Sequence, residues 1–227
     1  MADRRPFEEK YCSIHFDWNI DKDLTAYIVR RYTKKLEEEL IGLQKNKIKL
    51  PKFFSDRRTD EDYVYDLIDG WLVEDIICDA WLRINLQKIN SRIKIKQKGT
   101  DSDRTLQKYN PEKITTNPDF IFSFGNIDRP IELQMAREAR QKLGYDMKES
   151  KVKKSMEQNN IFLWIIIPEG KYFFINPSDY FQNKTPTVNH LWGGKMVFTI
   201  SPSEVEAIGL EKMKEGIHSK YHKLLGI

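Results

Sequence analysis

The chain has 227 residues, 40% of them apolar and 12% aromatic, enough to enclose one substantial hydrophobic core. Its 38 Lys and Arg face 34 Asp and Glu, and the formal net charge of +4 suits an anionic partner without naming one. Two distant cysteines, Cys12 and Cys78, exclude a disulfide framework and a cysteine-rich metal knot, and the strongest apolar run, Ile161 to Pro168, is too short to cross a bilayer.

The opening residues MADRRPFEEK lack the apolar centre of a signal peptide, so a soluble, cytoplasmic protein is expected. Ile14, Phe16, Trp18 and Ile20 alternate with polar residues and predict a short strand. Asp21 or Asp23 then caps a helix reaching about residue 46, with Leu24, Ile28, Tyr32, Leu36 and Leu40 on one face. That face can pack on a sheet or against a second subunit.

Thr59, with Asp62 three residues on, marks the start of a helix to about residue 87. Leu67, Trp71, Cys78 and Trp81 form its apolar stripe, and Glu74 falls on that stripe. An isolated carboxylate there is very unfavourable, so Glu74 needs a partner: a metal ion, a metal-held water, or a salt bridge at the edge of the packed face. Asp75 lies close enough to the same face to be an alternative, and Asp79 is expected in solvent. Residues 92 to 98 follow as a strand with Ile93 and Ile95 inward and Arg92, Lys94, Lys96 and Lys98 on a basic face that suits nucleic-acid phosphates or plain solvent. Gly99 to Asn117 is polar and reads as a loop.

Pro118-Asp119 opens an apolar run through Phe120, Ile121, Phe122 and Phe124, and Gly125-Asn126 with Asp128 marks a turn. In the next run, Ile131 to Met135, Glu132 and Gln134 share one side and Ile131, Leu133 and Met135 the other. A hairpin would bring Asp119 near Glu132. Two close carboxylates repel unless they share a cation or proton, which points to a Mg2+ site; the alternative is a strand-start acid and an ordinary solvent-face acid.

Residues 136 to 158 predict a basic helix, interrupted near Gly144, that carries Arg137, Arg140 and several lysines. Ile161 to Pro168 reads as a central strand covered on both faces, and Lys171 to Ile175 as another short strand. Residues 176 to 195 read as a surface or recognition loop whose Asn183, Lys184, Asn189 and His190 can contact bases or phosphates. Met196 to Ile200 is expected as an edge strand, and Ser201-Pro202 with Glu204 as the start of a helix toward residue 224. The four histidines and two cysteines show no zinc-ligand spacing, and no glycine-rich phosphate loop or serine nucleophile elbow is present.

The order of helix with Glu74, basic strand, strand with Asp119, strand with Glu132, helix and apolar strand resembles the PD-(D/E)XK nuclease superfamily. The chain length is similar to that of type II restriction endonucleases, and the local match is Pro118-Asp119 followed by Glu132-Leu133-Gln134, an ExQ variant in which Gln134 stands where lysine is usual. The resemblance implies a single domain over residues 1–227, an α/β restriction-endonuclease-like mixed central sheet flanked by helices, with its catalytic core at roughly 60–168. It implies Mg2+ held by Asp119, Glu132, the Leu133 carbonyl and Glu74, with Gln134 aligning water or phosphate and Lys153 or Lys154 as a substitute cation. The expected partner is double-stranded DNA, cut at a short palindrome by a homodimer. A Holliday-junction resolvase and a noncatalytic DNA-binding protein of the same fold are the rival readings.

Overall fold

The structure is a computed structural model that describes residues 5–12, 20–45, 50, 57–99, 104, 106, 118–136, 144–167, 169–209 and 216–227. The strand expected over residues 14–20 and the basic residues Arg137 and Arg140 lie outside the described residues, Ile20 excepted. The chain divides into two compact units, residues 1–84 with 99–115, and residues 85–98 with 116–227. The core expected at 60–168 thus draws on both.

The first unit is helical. Helix α1, Lys22–Gln44, starts where the Asp21 carboxylate accepts the Leu24 N–H at 2.9 Å, satisfying a main-chain donor that the first turn leaves open. Ile28, Val29 and Tyr32 are buried, so the predicted apolar face packs within this unit. Helix α2, Asp60–Asp75, is capped by the Thr59 hydroxyl, which accepts the Asp62 N–H at 3.0 Å. The chain continues through a π-helical stretch, Ile76–Leu82, into α3, Arg83–Ile89, within which the two units divide. Trp71 and Trp81 are fully buried, each worth on the order of 3 kcal/mol in apolar transfer.

The second unit is built on strands β1 (Lys94–Gln97), β2 (Phe120–Phe124), β3 (Ile127–Ala136), β4 (Tyr145–Lys148), β5 (Ile161–Ile166), β6 (Lys171–Ile175), β7 (Thr187–Asn189), β8 (Lys195–Ile200) and β9 (Ile208–Gly209). Six of them form one sheet in the order β1-β2-β3-β5-β6-β9, mixed because only the β3–β5 pair is parallel. Every residue of β5 is buried, as its unbroken apolar run predicts. Helices α4 (Glu149–Glu157), α5 (Pro177–Phe181) and α6 (His222–Leu225) complete the unit. The class is mixed α/β, a central mixed sheet flanked by helices.

Four sequence expectations are corrected. The helix predicted from residue 136 gives way at residues 145–148 to β4, whose Tyr145 and Met147 are buried with period two. Gly144 makes the switch: its φ is +82°, and a Cβ there would lie 2.6 Å from Thr199 Cγ2 and 2.9 Å from the Ile200 carbonyl oxygen. Residues 176–195 are not one loop but contain α5 and β7, and β8 is the centre of a second sheet, β4-β8-β7, rather than an edge. The helix predicted from Ser201 does not form over its described start: Ile208 pairs with Tyr172 at the sheet edge as part of β9. Among the described residues near the chain end, the helix is the short α6, entered from a 3-10 turn over Ser219–Tyr221.

Candidate functional site

The β2–β3 hairpin sets the site. Phe124 pairs with Ile127 across a two-residue turn whose Gly125 adopts φ +60°, and the register continues to Phe120 opposite Ile131. Asp119 directly precedes β2, in a bend, and Glu132 directly follows Ile131 on β3. On the other side of Asp119, the Lys98 N–H donates to the Asp119 carbonyl at 2.9 Å and extends the β1–β2 ladder by one rung. Glu132 is paired in turn with Phe162 of β5.

Past the end of β2, the main chain of Leu133 loses its ladder partner. Its N–H donates to Asp119 Oδ2 at 2.7 Å, and its carbonyl accepts from the Gln134 side-chain amide, also at 2.7 Å. Both groups project toward the side that β2 has vacated, so carboxylate and carbonyl converge there. Gln134 shares the face of Glu132, two residues along the strand, and pairs with Trp164. Trp164, Phe173 and Tyr145 make the apolar floor beside it, with Tyr145 and Trp164 ring centres 5.3 Å apart and Trp164 and Phe173 stacked at 6.0 Å.

Glu132 is buried, and its Oε1 forms an ion pair with Lys151 Nζ from the first turn of α4. The sequence pointed to Lys153 or Lys154 as the cation from this region. Lys153 instead pairs with Glu149 one turn away on the same helix, at 2.7 Å. The sequence does not single out Lys151, because a helix expected over residues 136 to 158 and interrupted near Gly144 gives no register for α4 against β3.

Glu74 belongs to the first unit, where Arg104 Nη1 holds it at 2.9 Å. The more buried acid of that pair is Asp75, whose carboxylate receives Arg104 Nη2 at 2.7 Å, the Tyr32 hydroxyl at 2.7 Å, and Arg31. Burial, and then the Glu74 and Asp75 carboxylates acting against it, shape the Arg104 guanidinium, which ends above its ordinary value and is always charged. Asp79 pairs with Arg83 at 2.6 Å and is half-buried.

Among the residues expected to touch DNA, Arg92, Lys94 and Lys96 are exposed. Lys94 pairs with Ser123 and Lys96 with Ile121, so the β1 lysines extend from the same sheet face as Asp119 and Glu132. Asn183 and His190 are exposed. Lys184 is committed to Glu204 and lies 3.9 Å from the Tyr180 ring centre. Asn189 has both ends of its amide in use: Oδ1 accepts the Trp192 N–H at 3.1 Å, and Nδ2 donates to Asp146 at 2.7 Å.

Among the described residues, no group of three or more His, Cys, Asp or Glu gathers as a metal cluster. The candidate donors are two carboxylates, Asp119 on the Leu133 N–H and Glu132 on the preceding residue of β3, and the Leu133 carbonyl. All are hard oxygens, and Mg2+ is commonly held by one or two carboxylates with water and phosphate filling the remaining positions, so the donor chemistry fits. The Leu133 carbonyl accepts from the Gln134 amide through one lone pair and keeps a second for an ion.

No family model matches this sequence, and no curated protein matches it. Among solved structures, the chain is similar to Hjc of Archaeoglobus fulgidus, a Holliday junction resolvase from an archaeal hyperthermophile. That similarity covers 57% of this chain and 91% of the resolvase, at 10% identity and a TM-score of 0.32. Among the described residues, no helix is long and apolar enough to cross a membrane.

Proposed function

We propose that the chain is a divalent-metal-dependent nuclease that hydrolyses DNA phosphodiesters. The observation that supports this reading is the Asp119 carboxylate on the Leu133 N–H, one residue from the buried Glu132, with Lys151 against Glu132. Asp119, Glu132 and the Leu133 carbonyl would hold the ion. Bound there, it would supply Lewis acidity, acidifying a water and neutralising charge on the phosphate.

The chain's own residues have separable tasks. Asp119 anchors the free Leu133 N–H and so fixes the strand end that carries both ligands. Lys151 balances the buried Glu132 carboxylate and brings to the site the positive charge that Gln134, with an amide in the usual lysine position, does not have. Gln134, with one N–H on the Leu133 carbonyl, has a second N–H to donate to water or a phosphate oxygen and an Oε1 to accept from water. Trp164 and Tyr145 close the apolar side and limit water there.

Cleavage of a symmetric short duplex site by a homodimer and cleavage of a branched junction are the two finer forms of this activity. The test is incubation of the purified chain with mixed-sequence duplex and with four-way junction DNA, in Mg2+ and in EDTA, followed by sequencing of every product end. Discrete ends at one palindrome define the first form; cuts confined to the junction define the second. A second reading, a DNA-binding protein without hydrolysis, is favoured by the Gln134 amide on the Leu133 carbonyl and by Lys151 on Glu132, because both withdraw ligands. Binding without cleavage across several divalent ions would establish it.

A further inference from the structure

We propose that Lys148, Lys151 and Lys195 form a track that grips the phosphates of a DNA strand beside Glu132. The proposal rests on the nuclease reading and deepens it by assigning the strand-binding surface. In the β4–β8 register Lys148 stands opposite Val197, and Lys195 lies two residues from Val197 on the same face. Such diagonal neighbours are about 7–8 Å apart, a spacing that covers two phosphates at a rise of roughly 3.4 Å per nucleotide of one strand. Lys151 follows Lys148 by three residues, on the first turn of α4, and reaches Glu132.

The arrangement is costly without an anion. Burial, then the charges of Lys195 and Lys151, hold the Lys148 ammonium below its ordinary value. Lys148 also occupies the N-cap position of α4 with no capping hydrogen bond, where Ser, Thr, Asp or Asn is usual and where a cation opposes the helix dipole. The neighbouring acids are committed elsewhere: Asp146 accepts from Asn189 and Thr199, and Glu149 pairs with Lys153. Among the described residues, neither Lys148 nor Lys195 makes an ion pair. A polyanion with repeating charges and several acceptor oxygens relieves the like-charge repulsion and the opposed dipole together.

The test is equilibrium binding of a fluorescently labelled mixed-sequence duplex to the full chain in EDTA, measured by anisotropy over a salt series. For Lys148→Ala with Lys195→Ala, the slope of log K against log salt is expected to become shallower by about 1.8, two phosphate contacts at roughly 0.9 each. The Lys148→Arg, Lys195→Arg pair should keep the wild-type slope. A Gln pair at both positions serves if the Ala pair does not fold, with circular dichroism as the check. An unchanged slope in a folded Ala or Gln variant overturns the track and leaves the acid site untouched, as does a wild-type chain that binds no duplex at low salt. A shallower slope in a protein that cuts no substrate upholds the track while the hydrolytic reading fails.

Discussion

Asp119 Oδ2 accepts the Leu133 main-chain N–H at 2.7 Å, so one of the two candidate ligand acids is also the clamp on the strand that carries the other. Asp119→Ala should abolish cleavage and destabilise the protein by about 1–3 kcal/mol, because the Leu133 donor is left without its acceptor. Asp119→Asn keeps an acceptor oxygen, so it should recover most of that stability and none of the cleavage. Urea melts read against turnover separate the two roles. Cleavage by the Asn variant at the wild-type rate would remove Asp119 from the ligand set.

Lys151 should matter through Glu132. Replacing it with Met leaves a carboxylate at 9% side-chain exposure without its cation, but Lys151 itself is 40% exposed, so solvent screens part of the loss. The expected cost is about 1–2 kcal/mol, below the figure for a fully buried pair. Cleavage should fall by more than metal affinity does if the ammonium also faces the phosphate. Lys151→Arg should restore stability. Equal turnover in Met and wild-type proteins would reduce Lys151 to a counterion.

In the first unit the contrast is between neighbours. Asp75→Ala strips a buried acceptor from Arg104, Arg31 and Tyr32 and should cost about 3–5 kcal/mol. Glu74→Gln, at 22% side-chain exposure and with an ion pair to Arg104 that solvent screens, should cost about 1 kcal/mol or less. Denaturant melts of the two variants rank them. An equal loss would mean that Glu74 is held by more than Arg104, and an unchanged cleavage rate in Glu74→Gln would exclude it from the metal site.

The hairpin was legible in the sequence because its signals are local: an apolar run, Gly125-Asn126, and a second run with period two. Those signals put Asp119 near Glu132, and the register pairs the next residue, Phe120, with Ile131 beside Glu132. Helix α1 and α2 were legible for the same reason, through Asp21 and Thr59. What failed was set by distant contacts. Gly144 reads as a helix interruption in sequence, and only the close approach of Thr199 and Ile200 makes it the entry to β4. Ser201-Pro202-Glu204 has the local chemistry of a helix start, yet Glu204 is used by Tyr180 and Lys184, and Ile208 pairs with β6. Glu74 rather than Asp75 was favoured because a helical stripe is about 100° wide and adjacent residues can both border it. The contact of Tyr32 and Arg31 with Asp75 spans more than 40 residues and has no sequence signature.

The protein should lose stability in alkali through its buried phenols. Burial raises the Tyr172 hydroxyl from its ordinary 10.0 to about 12, partly offset by the His218 N–H it accepts at 3.0 Å. Burial likewise raises Tyr221, Tyr32 and the Cys78 thiol. A group whose folded-state value lies above its unfolded value contributes stability that is complete below the unfolded value and disappears as pH rises through the folded one. Stability should therefore be unaffected by Tyr172 below pH 10.0 and decline between there and about 12. Its share of that loss is about 2–3 kcal/mol. Urea melts from neutral to strongly alkaline pH, with tyrosinate absorbance recorded alongside, measure the decline. Tyr172→Phe removes one ionising group and should make it shallower by that amount; an identical decline in the Phe variant would assign the alkaline loss to other groups.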